Sequence, residues 1–152
     1  MTATEFRAEH PNAFIFAFMR NPFSRLVSAY SYLNMPWAHI ADIEDRKKYI
    51  DAYTDFRDFV IRGIGGGDAL VQRHCRPQVL WISDGAGNIV TDFLGRFETL
   101  QEDFDKVCGK VGWDVTLLKP FNVSEHKPYQ EYYDTETESI VRKVYAKDFE
   151  VG

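Results

Sequence analysis

The chain has 152 residues, 45% hydrophobic and 15% aromatic, enough for one well-buried core and too few for two ordinary domains, so a single domain over residues 1–152 is expected. Eighteen Lys and Arg against 23 Asp and Glu give a formal charge of -5, which argues against a general nucleic-acid or anionic-membrane binder and leaves any anionic ligand needing a local basic pocket. No apolar run reaches the ~20 residues of a membrane span, and Met1 to His10 is polar and mixed in charge, unlike a signal peptide, so a cytoplasmic location is expected.

Phe14-Ile15-Phe16-Ala17-Phe18-Met19 is apolar at every position, the pattern of a strand buried on both faces in a parallel sheet. Arg20-Asn21-Pro22 ends it: Asn21 can cap a helix, and Pro22 suits the first helical position, where no amide hydrogen is needed. Phe23, Leu26, Val27, Tyr30 and Leu33 follow at helical spacing, leaving Ser24, Arg25, Ser28 and Ser31 for the other side. Met35-Pro36-Trp37 ends this helix, and Asp42 to Asp51 is a charged stretch, helix or ordered loop. Phe56 to Arg62 is expected as a short helix and Gly63 to Asp68 as a flexible turn. Val79–Ser83 and Ile89–Leu94 flank Asp84-Gly85-Ala86-Gly87-Asn88 as the strands of a hairpin would, adding an antiparallel edge. Thr99 with Glu102 predicts a capping box, followed by Leu100, Phe104, Val107, Cys108 and Val111 on one helix face. Val115 to Leu118 reads as a strand, and Thr135 with Glu138 predicts a second capping box before Ile140, Val141, Val144 and Tyr145. Cys75 and Cys108 have no metal-ligand spacing and are expected to be reduced thiols; no metal is expected.

An arginine at the carboxyl end of a buried parallel strand, followed at once by a helix start, makes an anion site, because backbone amides, helix dipole and guanidinium converge there. Arg20 has that position, and Ser28 on the polar side of the helix can add a hydroxyl. The alternative has Arg20 paired with a carboxylate and Ser28 simply exposed.

The string Phe16-Ala17-Phe18-Met19-Arg20-Asn21-Pro22-Phe23-Ser24-Arg25-Leu26-Val27-Ser28-Ala29-Tyr30 closely resembles the 3′-phosphate-binding segment of the carbohydrate sulfotransferase superfamily, approximately F-x-F-V-R-N-P-x-x-R-L-V-S-A-Y. His74-Cys75-Arg76-Pro77-Gln78 and Asp92-Phe93-Leu94-Gly95-Arg96-Phe97-Glu98-Thr99-Leu100, running on to Asp103-Phe104, also look like that family in the same order. The tail, Asn122-Val123-Ser124 with Tyr132-Tyr133-Asp134 and Tyr145 to Glu150, is similar with looser spacing, so the likeness runs from about Asn12 onward.

The resemblance implies an α/β fold: an incomplete P-loop-type parallel sheet flanked by helices, with the antiparallel edge hairpin. It implies that Arg20 and Ser28 bind the 3′-phosphate of 3′-phosphoadenosine 5′-phosphosulfate, the sulfuryl donor. It makes His74 the candidate general base, flanked by Arg73 and Arg76, whose charges favour the neutral imidazole; a structural role beside Pro77 is the alternative. Glu98 is read as a base or as partner to an arginine, and Arg25 as bracing a carboxylate such as Glu98 or touching ligand. Asn122, Ser124, His126 and Lys127 form a loop that can close over the nucleotide or be ordinary surface.

In the family an N-terminal strand and phosphate loop carrying Lys and Ser or Thr hold the 5′-phosphosulfate. Only Met1 to Ala13 precede the Arg20 strand, so this element is expected to be lacking, and Gly63 to Gly67, with no following Lys-Ser or Lys-Thr, is a poor substitute. The expected function is sulfuryl transfer to a hydroxyl of a carbohydrate or small molecule. The alternative is a non-catalytic remnant that binds nucleotide or protein; a nucleoside kinase-like protein ranks third, for want of a phosphate-loop lysine motif. A sheet without its first strand is expected to be completed by a second copy or another partner.

Overall fold

A computed structural model describes residues 1–35, 40–120 and 126–152. The chain divides into two compact units: Met1–Asn21, Gln78–Phe121 and Glu150–Gly152 form the first, Pro22–Pro77 and Asn122–Phe149 the second.

The first unit is built on a parallel pair of strands, β1 (Phe16–Met19) and β2 (Phe93–Arg96), in the register Phe16 to Phe93 through Met19 to Arg96. The parallel sheet predicted from the all-apolar run is present. The strand is shorter than the run, however, and Phe16, Ala17 and Phe18 are half-buried, with Met19 alone of the four buried. The sequence reading missed α1 (Ala3–Glu9), although Thr2 and Glu5 form a reciprocal capping box at its start. Arg7 fixes the entry to the sheet: its guanidinium donates to the carbonyls of Ala13 (2.7 Å) and Val90 (3.3 Å) and to the carboxylate of Asp92, which also accepts the Ile15 amide at 2.7 Å.

The predicted hairpin survives only at its turn. Val79–Ile82 is a helical turn, α5, because Val79 C=O accepts from both the Ser83 amide (3.0 Å) and the Ser83 hydroxyl (2.7 Å). A four-residue apolar run does not distinguish a strand from a buried helical turn. The antiparallel contact is the single bridge Ser83 to Ile89, closed by Asp84, whose carboxylate accepts the amides of Ala86 (2.9 Å) and Asn88 (2.8 Å). Met19, Val79 and Ile82 form the buried cluster of this unit.

Helix α6 (Leu100–Val111) is as predicted, but its start is not the expected capping box. The Thr99 hydroxyl donates to Asp103 (3.0 Å), which also accepts the Arg96 amide (2.8 Å) and Lys106 Nζ (2.6 Å). Val115–Leu118 is not a strand: the Gln101 carboxamide accepts the Leu118 amide at 2.8 Å and donates to the Thr116 carbonyl at 3.2 Å, doing the work of a β-partner.

The second unit is helical. Helix α2 (Pro22–Leu33) buries Phe23, Leu26, Val27, Ala29 and Leu33, the predicted face with Ala29 added and Tyr30 half-buried. Helix α3 (Ile40–Tyr49) takes up most of the charged stretch. Helix α4 (Phe56–Asp58) continues as a π-helix over Phe59–Ile64, so Gly63 and Ile64 belong to the helix and not to the predicted turn. Gly63 is required there, since an added Cβ would lie 2.8 Å from the Tyr53 ring. Helix α7 (Thr135–Val144) is capped one residue earlier than predicted: Asp134 accepts the Thr137 amide at 2.9 Å, and Thr137 reciprocates. Helix α8 (Ala146–Val151) ends the chain. The core gathers Phe23, Leu26, Leu33, Phe56, Phe59, Ile64, Val141 and Tyr145, with Cys75 among them. Among the described residues no helix is long and apolar enough to cross a membrane.

Candidate functional site

In the first unit, two residues, Arg20 and Asn21, carry the chain from the end of β1 to Pro22. The Arg20 backbone has no ladder partner, yet both its groups are bonded: the Gln78 carboxamide accepts the Arg20 amide at 3.0 Å and donates to the Arg20 carbonyl at 2.8 Å. This pair of bonds fixes the direction in which the Arg20 side chain leaves the chain. The guanidinium lies over the Phe97 ring, 4.6 Å from its centroid, a cation–π arrangement that orients the charge. The next amide, Asn21 N–H, donates to Glu98 at 2.8 Å. Arg20 and Glu98, both candidate site residues in the sequence, thus come together through their neighbours, Arg20 through the Phe97 ring and Glu98 through the Asn21 amide.

In the second unit, Ser28 is half-buried on α2. His74 is half-buried beside the Tyr32 ring, with centroids 5.5 Å apart. Arg73 Nε–H points at His74 Nε2 over 3.4 Å, a contact that only an unprotonated nitrogen can accept. Arg25 donates to the carbonyls of Arg76 at 2.9 Å and Arg73 at 3.5 Å, on either side of His74. Burial is the largest influence on Arg25 and lowers its pKa; Tyr145 and Asp148 work in the opposite direction.

Lys127 is exposed and 3.7 Å from Glu131, and His126 Nδ1 lies 2.8 Å from the Lys127 carbonyl. Asn122 and Ser124, predicted to share that loop, lie outside the described residues. An open cleft of about 830 Å³ in the second unit is lined by Lys48, Tyr49, Tyr53, Arg62 and Asp68, none of them singled out from the sequence.

Gln78 and Arg25 are the residues whose parts sequence reasoning missed. Both stand inside the family-like strings, Gln78 directly after His74-Cys75-Arg76-Pro77, and that placement is the signal that could have marked them. Comparison with known proteins found no match among curated proteins and none among solved structures. The model of the sulfotransferase family matches residues 1–151. The three family-like strings therefore sit within a match that leaves out one residue of 152, and the chain belongs to the sulfotransferase family.

Proposed function

We propose that the chain moves a sulfuryl group from 3′-phosphoadenosine 5′-phosphosulfate to a hydroxyl, with a carbohydrate as the acceptor class. The acceptor oxygen forms a bond to sulfur while the bond from sulfur to the 5′-phosphate oxygen breaks. The hydroxyl proton passes to the His74 imidazole, and adenosine 3′,5′-bisphosphate leaves. Arg20 and Ser28 hold the 3′-phosphate. Lys127, exposed and loosely paired, can turn to a nucleotide phosphate at little cost. Glu98 keeps the Asn21 amide occupied and so supports the Arg20 turn; a base role for it has less to recommend it, because its Oε1 already accepts that amide.

The observation that carries the proposal is the family match over residues 1–151, with the Arg20 to Ser28 segment lying at a strand-to-helix junction. A guanidinium held on an aromatic ring beside a backbone fixed by Gln78 supports it, since preorganised donors bind a phosphate without first being ordered. The test is release of adenosine 3′,5′-bisphosphate when the chain is incubated with the donor and a panel of unsulfated polysaccharides. Acceptor-dependent release that is lost in Arg20→Ala is expected. Release at the same rate in Arg20→Ala would remove Arg20 from the site.

A further inference from the structure

The four residues Arg73-His74-Cys75-Arg76 form an irregular turn, yet almost every backbone group in it is bonded. The Gln72 carbonyl accepts the amides of Cys75 and Arg76, each at 3.0 Å, and the Gln72 side-chain oxygen accepts the His74 amide. On the acceptor side, Arg25 of α2 takes the Arg73 carbonyl (3.5 Å) and the Arg76 carbonyl (2.9 Å), and the Tyr145 hydroxyl at the end of α7 takes the Cys75 carbonyl at 2.6 Å. The clamping groups are themselves enclosed: Gln72 is 2% and Tyr145 2% exposed, and the Cys75 side chain between them is fully buried. The described neighbours that bear charge are Arg73 and Arg76 on the turn, Arg25 from α2, and Asp148 from α8, whose carboxylate offsets the buried guanidinium.

Gln72 and Tyr145 are buried and Arg25 is half-buried, and a surface turn with no task does not need such side chains to give up water to hold its carbonyls and amides. Arg73 is the exposed residue of the turn, and His74 lies half-buried beside the Tyr32 ring. We propose that Arg25 and Tyr145 are positioning residues: together with Gln72 they hold the 73–76 turn rigid so that the His74 imidazole keeps one orientation. The catalytic purpose of the clamp rests on the reading of His74 as the general base, whereas the clamp itself stands on the bonds listed above. Arg25 lies within the nucleotide-binding string of the family, so the same helix that carries Ser28 would order the base as well as the donor. A displacement of about 1 Å at a reacting group costs up to ~100-fold in rate, which is why such a clamp is worth its buried polar atoms.

The variants are Tyr145→Phe, which removes one oxygen from a buried ring, and Arg25→Gln, with Arg25→Lys as the conservative control. Two measurements are made on each, after circular dichroism shows it folded. Amide exchange of Cys75 and Arg76, followed by nuclear magnetic resonance, is expected to speed up at least about tenfold in Tyr145→Phe and Arg25→Gln, with partial rescue in Arg25→Lys. The His74 ring signals are expected to shift, while those of His10 and His126 stay as they were. If exchange and the His74 ring signals are unchanged in both folded variants, the clamp is overturned. Separately, the rate of His74 ethoxycarbonylation by diethyl pyrocarbonate is compared with and without adenosine 3′,5′-bisphosphate. Protection by the nucleotide is expected; no protection overturns the base reading, and with it the catalytic purpose, even when the exchange result upholds the clamp.

Discussion

Asp103 shows how one side chain can organise a junction. Its carboxylate collects Lys106 Nζ, the Arg96 amide and the Thr99 hydroxyl, and these bonds, that with Lys106 first, hold its pKa down at about 2 against an ordinary 3.8. A depressed folded pKa stabilises the native state above the unfolded value, and that contribution is lost as pH falls through the folded one. Asp103→Asn is therefore expected to flatten the dependence of the thermal midpoint on pH between about 4 and 2; an unaltered slope in that window would contradict this. Gln78 and Gln101 act on the same scale, each using a carboxamide in place of a peptide group, on Arg20 and on the 116–118 segment respectively. Gln78→Leu leaves the Arg20 amide and carbonyl without their partner and is expected to cost about 1–3 kcal/mol in urea unfolding. Neither glutamine was legible in that role, because a side chain that imitates backbone leaves no periodicity and no motif. Arg20 and His74 stood out because their residue types carry chemistry wherever they fall.

Elements were legible in proportion to their length and period. Helices α2, α6 and α7 repeat apolar residues every three or four positions over ten or more residues, and each is found where that pattern lies. Their caps were harder, since Asp134 and Thr135 offer adjacent hydroxyl or carboxyl oxygens and only the backbone angle at Asp134 decides between them. Short apolar runs failed in both directions: Val79–Ile82 is helical, and Val115–Leu118 is extended without a ladder. The parallel pair β1 and β2 was half legible, because the run predicts a strand but not that Gly95 lets it close. A Cβ on Gly95 would come within 2.7 Å of the Phe18 ring and 2.9 Å of Asp103 Cβ, across from Phe18 in the register. Gly95→Ala is expected to destabilise the fold by about 1–3 kcal/mol through overpacking. A thermal midpoint equal to that of the parent would show that the strands have slack.

At the scale of the molecule, the aromatic residues that make up 15% of the chain have two outcomes. In the second unit they are absorbed into a network of rings around Phe23, Phe56 and Phe59. In the first unit Phe97 and Trp113 remain 47% and 56% exposed, as do the aliphatic Val115 and Leu117 at 65% and 77%. Apolar surface of this kind favours association, so the mass by light scattering is expected to rise with protein concentration, and Leu117→Lys to reduce that rise. A concentration-independent monomer mass would contradict it. Family membership was readable because three strings occur in a fixed order, whereas the acceptor was not, since acceptor surfaces are built from loops that follow no motif.

The central claim is that Arg20 reads the 3′-phosphate of the donor nucleotide. Isothermal titration of the chain with adenosine 3′,5′-bisphosphate and with adenosine 5′-monophosphate, repeated on a folded Arg20→Ala variant, tests it most directly. The bisphosphate is expected to bind about 10- to 100-fold more tightly than the monophosphate, the range for a charge-assisted bond, and the variant to lose most of that difference. Equal affinity for the two nucleotides, or discrimination that survives in Arg20→Ala, would contradict the claim.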